Sequence, residues 1–388
     1  MLQGAIEPTR SRALDGLRGF AAVAVIYYHA ILHPDVTLID RVLYAPIQAA
    51  GSVRDAASKI GLTVLNGESA VFLFFVLSGC VLHLSLGRLG HLTPLPLAAS
   101  FTVARLVRLY PPLAACLLAF VAVSVLWGWA GATGFPRFGI AAFFKNVLLY
   151  KIAMHGPSTT IQAEVLAIPF LLCGYFMRRA FGVPGLMCCL VYALYAIEAG
   201  WAVFWLPNMH AYLFAFIAGM LVAETGFRSV LALAHPLSGW LALACFVGGR
   251  AFYYHVSIAA LIAMVAAATL LVGILYHNPQ DRLRQLLERP LAQFLGRISY
   301  SLYLLNVIVL CAIWAVTDQM AWPTRHALET GLLVGTAALL VTIPLAIASE
   351  RWIEQPSIRV GRWLARKIRA RLTRGTEPVR SLNPAGTA

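Results

Sequence analysis

The chain has 388 residues, a formal charge of +14, 60% hydrophobic residues and only 12% charged residues, whereas a soluble domain carries about 25% charged residues. With a mean hydropathy of +0.77, water is excluded as the main solvent, and a core about 30 Å thick that needs roughly 20 apolar residues per helix takes its place. The positive charge does not point to nucleic acid, because Lys and Arg stand between apolar runs and are not interleaved with exposed aromatics.

Apolar runs predict an all-α, polytopic bundle of about ten transmembrane helices. They lie near Leu17–His33, Ser69–Leu86, Pro111–Ala130, Gln162–Met177, Phe181–Phe204, Met209–Ala223, Pro236–Gly248, Val256–Tyr276, Phe294–Val316 and Ala327–Ser349. The basic N-terminus lacks a small-residue cleavage site after the first run, so that run is expected to stay as an anchor. Short cytoplasmic loops are enriched in Lys and Arg. Both termini are therefore expected in the cytoplasm, together with Arg10, Arg12, Arg88, Arg105, Arg108, Arg178, Arg179, Arg228, Arg282, Arg284, Arg289 and the tail from Arg351 to Arg380. Arg41, Arg54, Lys59, Arg137, Lys145, Lys151, Arg250 and Arg325 fall on the other side, as does the long loop Pro34 to Glu68.

Residues 1–355 read as one membrane domain and 356–388 as a basic cytoplasmic tail, partly amphipathic and then disordered. Trp363, Leu364 and Ile368 among the basic residues suit either a helix on an anionic leaflet or a solvated tail. The seven cysteines sit in or beside apolar runs without metal-type or disulfide spacing and read as small buried hydrophobes. No internal repeat of the transporter kind is visible.

Ionisable groups at membrane depth carry the functional information, since each is costly unless paired or hydrated. His29 lies late in the first span, where a neutral imidazole can accept a proton from a hydroxyl; a structural role near a helix end is the plainer alternative. His33 shares its face, but no third ligand accompanies the two, so no metal is expected. Arg18 opens the same helix and is explained equally by snorkelling to the interface. Arg105 and Arg108, three residues apart ahead of Tyr110 and Pro111, would share one helical face suited to a diphosphate, with cytoplasmic anchoring as the alternative. Glu164, near the start of the fourth span, is placed to orient His29, to hold an acceptor hydroxyl, or simply to favour a helix N-terminus; Glu68 has the same ambiguity. Ser78 and Gly79 read as a close helix contact.

Several ordered segments together resemble the membrane-bound acyltransferase-3 family of bacterial O-acetyltransferases. They are Leu14-Asp-Gly-Leu-Arg-Gly with Tyr28-His29-Ala30, Phe74-Phe-Val-Leu-Ser-Gly, Arg105-Leu-Val-Arg-Leu-Tyr-Pro, Gln162-Ala-Glu164, Phe216-Ile-Ala-Gly219-Met, Gly296-Arg-Ile-Ser-Tyr-Ser-Leu-Tyr-Leu and Ile353-Glu-Gln-Pro356. The resemblance implies a catalytic pair of His29 and Glu164. It implies donor binding by Arg18, Arg105, Arg108 and Tyr110, with an acyl-CoA, usually acetyl-CoA, as donor. The implied acceptor is a hydroxyl of a carbohydrate or glycoside, and the implied location is a bacterial inner membrane. Phe72, Thr159-Thr160-Ile161 and Asn306 depart from the pattern of many relatives, which carry an acid, a Trp-Ser-Leu run and a His there. The alternative function is an exporter of a sugar or acid, in which buried His and Glu residues relay protons.

Overall fold

The computed structural model describes residues 11–152, 154–203, 206, 209–224, 226, 235–252, 257–318 and 326–374. Among these the chain is all-helical, with no strand. The expectations placed on Arg10, Arg228, Arg325 and the tail beyond residue 374 lie outside the described residues.

The helices are α1 (Arg12–Leu32), α2 (Val53–Val64), α3 (Gly67–Arg88), α4 (Pro94–Trp129), α5 (Ile140–Val147), α6 (Ser158–Phe181) and α7 (Val183–Glu198). They continue as α8 (Met209–Val222), α9 (Ser238–Phe252), α10 (Ile258–His277), α11 (Arg282–Leu287), α12 (Pro290–Thr317), α13 (Ala327–Ser349) and α14 (Gln355–Arg374). Each expected apolar segment coincides with one of them. By length and composition six helical stretches can cross a membrane: Val53–Arg88, Pro94–Trp129, Ser158–Phe181, Ile258–His277, Pro290–Thr317 and Ala327–Thr373. The other four are limited by local chemistry: α7, α8 and α9 are short, and the first turns of α1 carry Arg12, Asp15 and Arg18.

The surface inverts the pattern of a soluble bundle. Trp129, Leu333 and Leu340 are 82%, 65% and 65% exposed, while Asn306, Asn146, His155 and Asp281 are buried. Large apolar groups outside, around an apolar core that also takes in the polar groups, are what a hydrocarbon solvent selects. Cys80 and Cys116 lie in the core as expected, but Cys173, Cys188 and Cys245 face outward, because their helices are apolar all round and sequence hydropathy cannot tell the two faces apart.

Glycines set the tightest contacts. A Cβ on Gly79 of α3 would overlap the Phe216 carbonyl of α8, and one on Gly219 of α8 would overlap the Val76 carbonyl of α3. In the same way a Cβ on Gly19 of α1 would lie 2.5 Å from the Gly296 nitrogen of α12, and one on Gly296 would overlap the Asp15 carbonyl. Between helices in lipid, where the hydrophobic effect adds little, such close backbone approach is the main source of packing energy. The glycines of four of the quoted segments are thus two interlocking helix contacts.

Two elements differ from the expected layout. The third span does not begin at Pro111: α4 starts at Pro94 and runs through Pro111 and Pro112, so Arg105 and Arg108 stand in the middle of a 36-residue helix. Beside the proline pair the Tyr300 hydroxyl donates to the Leu109 carbonyl at 3.0 Å, tying α12 to α4. After a π-helical turn at Glu350–Glu354, α14 packs along the N-terminal half of α4.

Because backbone carbonyls occupy the space a side chain would need, Gly79→Val or Gly296→Val should each destabilise the folded protein by about 1–3 kcal/mol or more. Thermal unfolding in detergent measures this, with Gly128→Ala, which meets nothing within 4 Å, remaining at the wild-type midpoint.

Candidate active site

Two polar regions lie towards opposite ends of α1. At the Arg18 end, α3, α4 and α6 converge on Glu164. Arg105 Nη2 donates to Glu164 Oε2 at 2.7 Å, and Ser78 Oγ donates to Glu164 Oε1 at 3.2 Å. Arg105 is 9% exposed and its Nε has no partner among the described residues. Arg18 approaches Asp15 Oδ1 at 3.7 Å and lies within electrostatic range of Arg108, Glu164 and Arg105. Arg108 makes no hydrogen bond or close ion pair among the described residues and faces Glu354, which is buried and accepts from Ser301 Oγ at 3.1 Å. Tyr110, half-buried, stands two residues beyond Arg108 at the Pro111 step.

This region therefore brings together Arg18, Arg105, Arg108 and Glu164. Glu164 is engaged by Arg105 and Ser78 and makes no contact with His29. Glu354 joins the cluster from the Ile353-Glu-Gln-Pro segment. An acid two residues before a proline is an unremarkable local pattern, and only its recurrence with the other segments could have singled it out.

At the other end His29 is exposed, although it sits late in α1 with buried neighbours on both sides, Tyr28 and Ala30. It has no hydrogen-bonding partner among the described residues, and its ring meets Tyr28 edge-on at 5.4 Å. An exposed, uncommitted imidazole flanked by buried residues leaves both ring nitrogens open to a reactant. Beside it Glu68 accepts from the Tyr28 hydroxyl at 3.3 Å, the Tyr44 hydroxyl at 3.1 Å and Arg250 Nη2 at 2.7 Å. Burial, and then the neighbouring Glu68 carboxylate, push the Tyr44 phenol above its usual range. Glu68 is thus a pairing residue for Arg250, which comes from the last turn of α9 and which the charge pattern assigns only to a side of the membrane.

The remaining candidates have structural employment. His33 stacks on Trp314 at 3.9 Å and its Nε2 lies 3.1 Å from Asp318 Oδ2. Asn306 donates to the Leu302 and Tyr303 carbonyls of its own helix, and Phe72 packs against Phe75 and Tyr212. Among the described residues no group of three His, Cys, Asp or Glu side chains is arranged to hold a metal.

A third polar cluster is not evident from sequence. Glu224, just past α8, lies between His83 Nε2 at 2.9 Å and Arg178 Nη2 at 2.7 Å. Burial alone would raise its pKa, but the bonds from His83 and Arg178 outweigh that and hold the carboxyl at about 2. It ties the Arg88 end of α3 to the ends of α6 and α8.

The family model described as an acyltransferase domain, Acyl_transf_3, matches residues 11–351. The chain belongs to that acyltransferase-3 family and is a membrane acyltransferase. No curated protein and no solved structure matches it.

Breaking one half of a buried ion pair strands the other charge and costs about 3–5 kcal/mol. Arg105→Leu and Glu164→Leu should each lower the unfolding free energy by an amount of that order, reduced by partial exposure. The double variant should recover much of the loss, a coupling that a double-mutant cycle on thermal or denaturant unfolding reads directly.

Proposed function

We propose that this acyltransferase moves an acyl group, acetyl in the simplest case, from acyl-CoA at the arginine end of the bundle to a hydroxyl of a carbohydrate or glycoside at the His29 end. The observation that carries the proposal is the layout of α1, which has Arg18 near its start and the uncommitted His29 near its finish. Eleven residues of helix separate them by about 17 Å, a distance comparable to an extended pantetheine arm. A donor anchored by its phosphates at Arg18, Arg105 and Arg108 would deliver its thioester towards His29.

In this mechanism His29 accepts the proton of the acceptor hydroxyl as its oxygen attacks the thioester carbonyl carbon. The new C–O bond forms, the C–S bond breaks, and the imidazolium returns its proton to the departing thiolate, leaving an ester and CoA. Glu164 acts as a positioning residue: by holding Arg105 through Oε2 it fixes the guanidinium that meets the donor. Arg108 and Arg18, without close carboxylate partners other than Asp15 at 3.7 Å, are open to the diphosphate. Tyr110 borders the same site.

The reading extends to topology. Ten crossings, with both termini and the arginine end in the cytoplasm of a bacterium and His29 towards the outer face of its inner membrane, match the distribution of Lys and Arg. The donor is then met on the side where CoA is made, and the acceptor on the side where surface glycans are built.

With acetyl-CoA and a suitable acceptor, the purified protein should release CoA, and His29→Ala should reduce the rate by about a hundredfold or more. Because the His29 imidazole makes no hydrogen bond among the described residues, the thermal midpoint should stay at the wild-type value. A folded His29→Ala protein with wild-type turnover would sink the mechanism.

A further inference from the structure

We propose that the groove between α4 and α14 seats the nucleotide end of the donor, the adenosine 3′,5′-bisphosphate portion of acyl-CoA, an inference that rests on the acyl-CoA reading above. A cavity of about 560 Å³ opens there, walled by Ser100, Phe101 and Ala104 of α4 and by Arg359, Arg362 and Arg366 of α14. The 359, 362, 366 spacing sets the three guanidinium groups on one face of the helix. None of them has a carboxylate partner among the described residues. A basic tail that merely solvates itself has no reason to line a protein cavity with three unpaired charges.

The groove is fixed and well placed. At Gly361 a Cβ would lie 3.2 Å from the Ala104 carbonyl, so α14 rests with its backbone close against α4. Ala104, which lines the cavity, is followed directly by Arg105, and Arg108 is one turn further along. Arg105 and Arg108 thus follow the cavity wall by one residue and by one turn along α4, and with the arginines of α14 they make up the basic track of the proposal. The track also matches the ligand's chemistry, since the 3′-phosphate and diphosphate each suit forked guanidinium donors. Lys367 is not part of the track, since its ammonium sits 3.8 Å above the Trp363 ring.

The headgroup of an anionic phospholipid presents the same phosphate chemistry, and the nucleotide is favoured because α3, α4 and α14 line the groove together and its α4 wall is followed directly by Arg105. The test uses full-length Arg359→Gln, Arg362→Gln, Arg366→Gln triple variant in neutral detergent, with an unchanged thermal midpoint as the check on folding. Its Kd for adenosine 3′,5′-bisphosphate and its KM for acetyl-CoA should both rise about tenfold or more, while KM for acetyl-pantetheine, a thioester without the nucleotide, should change less than about twofold. Equal effects on both donors, or nucleotide binding that is absent in the wild type or unchanged in the variant, would overturn the proposal. So would a variant whose only loss is binding to phosphatidylglycerol vesicles, which would assign the groove to lipid. Nucleotide binding lost in the variant, with no CoA release by the wild type, would support the groove and refute the acyl-transfer reading. Wild-type turnover with an unaffected variant would do the reverse.

Discussion

A guanidinium group among apolar helices is tolerable only if something answers its charge, and the pairing of Arg105 with Glu164 organises the bundle around that requirement. Glu164 has two oxygens, one taken by Arg105 of α4 and the other by Ser78 of α3, so three helices distant in sequence are held at one point. The pair also decides what is left over. With Glu164 bonded to Arg105, Arg18 has Asp15 at 3.7 Å and Arg108 the more remote Glu354 among the described residues, so two guanidinium groups without a hydrogen-bonded carboxylate remain, suited to an anionic reactant. Glu68 with Arg250 and Glu224 with Arg178 repeat the device elsewhere in the bundle.

The second constraint is steric. Helix α1 carries both the arginine that faces this cluster and the histidine proposed as base, and its position is set by backbone contact with α12 through Gly19 and Gly296. Leucine-on-leucine packing allows sliding, whereas a carbonyl lodged where a Cβ would stand does not. Reactive groups about 17 Å apart along one helix are thereby kept in register with the helices that complete each end of the site.

Much of this was legible in the sequence. The ten apolar segments all fall on helices, His29 stands out as a histidine inside an apolar run, and the three-residue spacing of Arg105 and Arg108 does bring both to one site. The long-range partners were not legible. Glu164 meets Arg105 instead of His29, and Arg250 meets Glu68 across 182 positions of sequence, because a helical pattern shows which face a residue occupies and not which helix lies opposite. Pro111 and Pro112 suggest a helix start, yet α4 continues through them, as membrane helices tolerate internal proline. The tail left two readings open, and α14 takes neither in full: it is a helix, but one seated on α4 as well as bearing exposed basic residues.

If donor and acceptor are met at opposite ends of the bundle, the reaction must be vectorial. The most direct test reconstitutes the protein in one orientation in sealed vesicles, supplies membrane-impermeant acetyl-CoA and acceptor to chosen faces, and measures CoA release with the location of the acylated product. The account predicts turnover only when acetyl-CoA is on the Arg18 face and acceptor on the His29 face, with CoA and product accumulating on opposite sides. Full turnover with both substrates confined to one face would contradict it.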